Sequence, residues 1–233
     1  MKKIITSAAL IFVSAFAFGQ DNYTVKMNVK VEGLPPEYAS FGEQEMVTYV
    51  KGDKTRTEMT SMMGSNISVF DGKTLTSLNE AMGNKSGFTA SKAELDANKE
   101  KDSKEPKPKV EYTTEKKTIA GYECTKAIVT SITKDKKEKK TIVYVTEKIK
   151  MPETKAGGGR KGMMADFGDL KGYPLEIEMN ESNQGMDMKI LVTTTEVSTA
   201  NIEDSMFSVS TDGYKMMTYS EFKEQQKKMS EGH

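Results

Sequence analysis

Hydrophobic residues in this chain recur at every second position rather than at every third or fourth. In YTVKMNVKVEG, Tyr23, Val25, Met27, Val29 and Val31 alternate with Thr24, Lys26, Asn28, Lys30 and Glu32. Successive side chains of a strand point to opposite faces, so this spacing predicts an antiparallel strand with one dry face and one wet face. The alternation returns in PLEIEMN, where Leu175, Ile177 and Met179 oppose Glu176, Glu178 and Asn180, and the two acids are expected in solvent. It returns again in GMDMKILVTTTEV, which places Met186, Met188, Ile190 and Val192 on one side. EMVTYVKGDKTRTEMTS reads as a hairpin turning at Gly52 and Asp53, and NISVFDGKTLTSL as another turning at Asp71 and Gly72. YECTKAIVTSITKDKKEKKTIVYVTEKI supplies a further pair joined by a highly charged tip. The pattern amounts to a meander of roughly eight to ten strands.

Helical signals are few. TASKAELDANKEK offers Thr89 or Ser91 as a cap ahead of good helix formers, and TYSEFKEQQKKM opens with Thr218 three residues before Glu221, the spacing of a capping box. KEKDSKEPKPKVEY, rich in lysine and containing two prolines, reads as an extended solvated link. Two short helices cannot hide so many strands laid flat, and a sheet with one dry face has to cover it. The expected architecture is therefore mainly β within the α+β class: a curved antiparallel sheet or unclosed β-barrel with a few short helices, enclosing either a core or a cavity.

The first residues, MKKIITSAALIFVSAFAFGQ, have a basic start, an apolar run from Ile4 to Phe18 and small residues at Ala17 and Gly19. That layout predicts a signal peptide over residues 1–19, and the run is shorter than the roughly twenty residues a membrane span requires. Residues 20–233 then form one curved-sheet domain with a C-terminal helix, periplasmic or secreted once the peptide is removed. No transmembrane segment is expected.

Charge narrows the function further. The chain carries 34 basic and 34 acidic residues, and losing Lys2 and Lys3 leaves a slight negative excess. Arg56 and Arg160 are the only arginines. A near-neutral, arginine-poor chain gives no basis for nucleic-acid binding. Cys124 is the sole cysteine, so an internal disulfide is impossible, and the residue reads as a small buried hydrophobe. His233, the sole histidine, is the last residue.

TKAGGGRKGMMADFG holds five glycines and three basic residues, but Met163 stands where a phosphate-binding loop needs lysine and Ala165 where it needs a hydroxyl. Three successive glycines instead favour a flexible flap between strands. Ser131 and Lys134 have the spacing of a serine–lysine nucleophile without its companion motifs. Glu176, Glu178 and Glu181 lack the aromatic-lined cleft of a glycosidase, in a chain with no tryptophan. No catalytic residue, cofactor or metal is assigned, and the chain is read as a non-enzyme.

Methionine is the compositional anomaly, at 17 residues, with doublets at Met62–Met63, Met163–Met164 and Met216–Met217. Flexible thioether side chains suit core filling, loosely specified apolar ligands, or copper(I).

VTYVKGDKTRTEMTSMMGSNISVFDGKTLTSL, with its order of strand, turn, strand and DGKTL, resembles the LolA and LolB lipoprotein-carrier group. IEDSMFSVSTDGYKMM is similar to that group's closing pattern of acidic turn, Phe-containing strand and Gly-containing turn. AGYECTKAIV, VYVTEKI, GYPLEIEM and DGYKMM together resemble a family of secreted bacterial proteins of unknown function. The resemblance implies an unclosed barrel with helices in its mouth, holding acyl chains. The chain departs from the group at Gly52, where the carriers have arginine, and at Thr76, Ser77 and Leu78, where aromatic residues are usual.

The leading expectation is a carrier or binding protein for a lipid, acyl chain or lipoprotein, lined by Val25, Met27, Val29, Tyr49, Met59, Met179, Met186, Met188 and Ile190, with the glycine flap as gate. Two alternatives stay open. One is an envelope protein-interaction module with a solid core and charged loops such as KDKKEKK. The other is a methionine-based copper(I)-binding protein.

Overall fold

The structure is a computed structural model that describes residues 22–102, 106–133, 136–152, 167–183 and 186–231. β1 (Asn22–Glu32), β2 (Glu43–Lys51), β3 (Lys54–Ser61), β4 (Gly64–Phe70), β5 (Thr74–Ala81) and β6 (Asn84–Ser91) run as one antiparallel meander. After helix α1 (Lys92–Asp102) the chain re-enters at the opposite edge of the same sheet. There β7 (Lys109–Ile119), β8 (Tyr122–Ile132), β9 (Glu138–Thr146), β10 (Tyr173–Asn183) and β11 (Met186–Ser198) form a second meander that ends beside β1. β12 (Lys215–Thr218) adds to β6 as a parallel strand, and helix α2 (Tyr219–Glu231) follows. The twelve strands make one mostly antiparallel sheet that does not close, with β7 and β12 at its edges.

The sheet bends about the face that carries Val25, called the inner face below. Tyr173 of β10 and Thr48 of β2 are three strand intervals apart, about 14 Å in a flat sheet at roughly 4.8 Å per interval. The Tyr173 side chain nevertheless comes close enough to Thr48 to interact with it, and its ring meets Tyr23 edge to face at 5.7 Å. Only a curved sheet allows both.

Both helices begin as their sequences predict. Ser91 Oγ accepts from the Glu94 amide at 3.3 Å while a Glu94 carboxylate oxygen accepts from the Ser91 amide at 2.8 Å. Thr218 and Glu221 repeat the exchange at 3.3 and 2.7 Å. Of Thr89 and Ser91, the cap is Ser91. The link read over KEKDSKEPKPKVEY is shorter than expected, because Lys109–Tyr112 opens β7. That strand is exposed on both faces, so it shows no alternation, and its charges are those that protect a sheet edge from further pairing.

Buried side chains fall into three clusters. The largest joins β1 and β2 to β8–β11, with Ile149 and Phe167 of the β9–β10 connection packed into it. A second, built on Phe70, Leu75, Phe88 and Ala90, is covered by Leu95 of α1 and by Met217, Tyr219 and Phe222. Phe222 stacks on Phe88 with ring centroids 4.0 Å apart. The third lies on the outer face, where Val69 meets Ile202 and Phe207.

Candidate functional site on the concave face

The register divides the inner face into two halves of different chemistry. On β1 and β8–β11 it is mainly apolar and closed: Val25, Val143, Tyr173, Leu175 and Ile177 are fully buried and Val29 and Val192 nearly so, with the buried threonines Thr141 and Thr194 among them, the Thr194 hydroxyl lacking a hydrogen-bond partner. On β2–β5 it carries a ladder of hydroxyls. Val25 lies opposite Thr48, Thr48 opposite Thr57, Thr57 opposite Ser68 and Ser68 opposite Ser77, which in turn faces Phe88 of β6. The Thr48 and Thr57 hydroxyls are 3.4 Å apart, and those of Ser68 and Ser77 are 3.0 Å apart. Ser68 also donates to the Asn66 side-chain oxygen at 3.3 Å, and the Asn66 amide donates to the Leu78 carbonyl at 3.1 Å. Thr55, two residues from Thr57 and on the same face, has a buried hydroxyl with no hydrogen-bond partner. Every charged residue of β2–β6 points the other way: Glu43, Glu45, Lys51, Lys54, Arg56, Glu58, Glu80 and Lys85 all share the outer face. The inner wall of β2–β6 carries its hydroxyls between apolar ends and bears no charge.

On the outer face, residues 199–214 form a strap that returns the chain to β12. Lys51 donates to the Ile202 carbonyl at 2.8 Å, and Arg56 to the carbonyls of Met206 and Ser208 at 3.0 and 3.4 Å. Lys51 and Lys54 converge on Asp204 at 3.1 and 3.3 Å, and their hydrogen bonds and charges hold its carboxyl below the usual aspartate range. Arg56 thus has a clear task, fastening the strap.

Methionines organise one end of the sheet. Met27, Met46 and Met59 are successive cross-strand neighbours on the inner face, the first two buried and the third partly so. Beyond Met59, the β3–β4 turn exposes Met62 and Met63, and the neighbouring β5–β6 turn exposes Met82. These turns border an open recess of about 500 Å³ formed by Thr60–Ser65, Glu80, Met82 and Gly83. Gly64 permits that close approach: its φ is +148°, and a Cβ there would lie 1.9 Å from the Glu80 carbonyl oxygen. A second recess, of about 170 Å³, lies at the other end between Tyr23, Val50, Gly52, Asp53 and Lys150–Pro152.

Of the nine residues expected to line a cavity, Val25, Met27, Val29 and Met179 are buried in the largest core cluster, and Met59 and Ile190 pack against it, partly exposed. Met188 is half-buried on β11, while the side chain of Met186 lies outside the described residues. Tyr49 does not join them. It shares the outer face with Arg56 and Val69 and packs in the strap's cluster. None of the eight whose side chains are described lines either recess. The glycine flap, Arg160, Met163, Met164 and His233 also fall outside the described residues, as does the signal peptide.

Two further groups differ from simple expectation or confirm it. Cys124 is fully buried, and burial pushes its thiol up to about 11, so it stays protonated at neutral pH. Glu176, expected in solvent, is buried and held by Lys117 Nζ at 2.8 and 2.7 Å. Lys117 also sits over the Tyr144 ring at 5.3 Å, so edge strand β7 folds its charge back onto β10 and shields the carboxylate. Glu178 keeps the expected exposed pairing, with Lys189 at 3.0 Å. Among the described residues, no three His, Cys, Asp or Glu side chains cluster as a metal site would require.

No family model and no curated protein matches the chain. Among solved structures, it is similar to PNGF-II, with 15% identity, 88% of this chain and 33% of that one covered, and a TM-score of 0.48. It is similar to an uncharacterized conserved protein of Thermus thermophilus, at 9% identity, 85% and 91% coverage and a TM-score of 0.47. It is also similar to the Mycobacterium tuberculosis lipoprotein LppX, at 10% identity, 77% and 88% coverage and a TM-score of 0.39. The chain spans about a third of the length of PNGF-II. All three scores lie below 0.5, so the reading of the site rests on this chain's own residues. Among those described, no helix is long and apolar enough to cross a membrane.

Proposed function

We propose that the protein is a non-enzymatic, periplasmic or secreted binding protein or carrier for a lipid, an acyl chain or the acyl chain of a lipoprotein. One observation carries this reading. Met27, Met46 and Met59 form a row across the inner face, and just beyond it the β3–β4 and β5–β6 turns expose Met62, Met63 and Met82 around an open recess whose strand residues Thr60, Ser65 and Glu80 belong to the outer face. The recess lies within the size range typical of small-molecule sites, about 300–1,000 Å³. Methionine's three rotatable bonds let such a row part around a flexible chain without demanding one shape. The acyl chain enters between the β3–β4 and β5–β6 turns, and its methylenes replace methionine contacts along the inner face. Native mass spectrometry of protein purified from its own host tests this, with an adduct of lipid mass expected and a uniformly bare protein contradicting it.

A second reading, an envelope protein-interaction module, is favoured by the close packing of the largest core cluster, where Tyr23, Val25, Met27 and Val29 of β1 and Leu175, Ile177 and Met179 of β10 are all buried. It predicts that protein captured from the envelope carries a stoichiometric protein partner and no lipid.

A further inference from the structure

We infer that the uncharged hydroxyl wall of β2–β5 is a subsite for the neutral ester region of an acyl lipid, a specificity that rests on the carrier reading and goes beyond it. An inner face built only to hold hydrocarbon would have continued the apolar pattern of β1 and β10. Instead Thr48, Thr57, Ser68 and Ser77 stand in consecutive lateral positions between the two hydrophobic clusters of the same face. Thr48 pairs with Thr57 and Ser68 with Ser77, and each hydroxyl, able to donate once and accept twice, keeps hydrogen-bonding capacity that a guest on this wall would use. Within the wall Thr55 is the sharpest case: it is 2% exposed and its hydroxyl has no hydrogen-bond partner, a state shared on the apolar half by Thr194 of β11. Tyr173, which leans toward the ladder from β10, likewise meets no partner at hydrogen-bonding geometry, although Thr48 lies near enough to perturb it.

The chemistry of the guest follows from what the wall contains and what it lacks. Hydroxyls both donate and accept, so they suit ester carbonyls and alcohol groups. The outward orientation of every charge on β2–β6 leaves no cation for a phosphate or carboxylate and no anion for an amine. A charged head brought against this wall would be desolvated without compensation, whereas a neutral ester would exchange water for hydroxyls.

Displacement of a fluorescent apolar probe by three matched single-chain ligands tests the inference: methyl palmitate, palmitate and heptadecane. Methyl palmitate is expected to bind at least about tenfold more tightly than heptadecane, the equivalent of one net hydrogen bond, and more tightly than palmitate. The double substitution Ser68→Ala with Ser77→Ala, and separately Thr55→Val, should remove that advantage while leaving heptadecane binding unchanged. Thr55→Val deletes an unsatisfied hydroxyl at nearly constant volume, so it keeps the test usable if the double variant fails to fold. Equal binding of all three ligands would overturn the ester subsite and leave the carrier reading intact. Preference for palmitate would overturn it by revealing a charge-accepting site. Failure of all three to displace the probe would remove the carrier reading itself, and the subsite with it.

Discussion

The two halves of the inner face share one sheet, one curvature and one side of the same backbone, yet they are built for different purposes. On β1 and β8–β11 the alternating positions are mainly Val, Leu, Ile, Met and Tyr, with Thr141 and Thr194 among them, and they close on one another. On β2–β5 the same positions are Thr and Ser, flanked by methionine toward one end and by Phe70 and Leu75 toward the other. The first half holds the molecule together through burial of apolar area. The second holds polar groups away from water while contributing little to cohesion. Under the proposed carrier reading, stability and binding are separated on one surface, and substitutions should tell them apart.

The largest effect belongs to the apolar half. Ile177→Ala removes a fully buried side chain and is expected to cost about 2–5 kcal/mol in chemical denaturation. Arg56→Ala comes next. It removes charge-assisted bonds to two strap carbonyls and should cost about 1.5–3 kcal/mol, with hydrogen exchange rising first at residues 204–209. In the hydroxyl half, Ser68→Ala combined with Ser77→Ala removes both partners of one bond and should cost no more than about 1 kcal/mol, and Thr55→Val should leave the ligand-free protein unchanged or stabilise it. A large loss in the double variant would mean that the hydroxyl ladder is structural, and the division would fail.

The smallest effect is a pH dependence. The carboxyl of Asp204 is held below its ordinary value by Lys51 and Lys54, so its contribution is complete above the unfolded aspartate range and is lost as pH falls through the depressed folded value. The strap should therefore loosen only in acid, seen as reduced protection of its amides, relative to their intrinsic exchange rates, below about pH 4. Asp204→Asn should remove that dependence.

The apolar half was legible in the sequence and the other half was not, for a physical reason. β1 and β10 alternate a dry face with a wet one, so Val25, Met27, Ile177 and Met179 announce their direction. β2 does not. Its outer face is covered by the strap, so Val47 and Tyr49 are apolar on one side while Met46 and Val50 are apolar on the other, and Tyr49 reads as an inner residue. Serine and threonine on β3–β5 read as wet-face positions, because nothing local indicates that the surface they occupy is concave and buried. β12 is four residues long and pairs parallel with a strand far away in sequence, beyond the reach of any local pattern. Both capping boxes, being local, were legible in full.

The central claim is that an acyl ligand lies along the inner face of β2–β5, entering past Met59. Photolabelling measures this most directly: protein from its own host is loaded with a diazirine-bearing acyl ester, irradiated, and the modified residues are mapped by peptide mass spectrometry. Labels concentrated on Met46, Met59, Ser68 and Ser77 are the predicted result. Labels confined to the outer face and its strap, or labelling no greater than that of an unrelated protein, would contradict it.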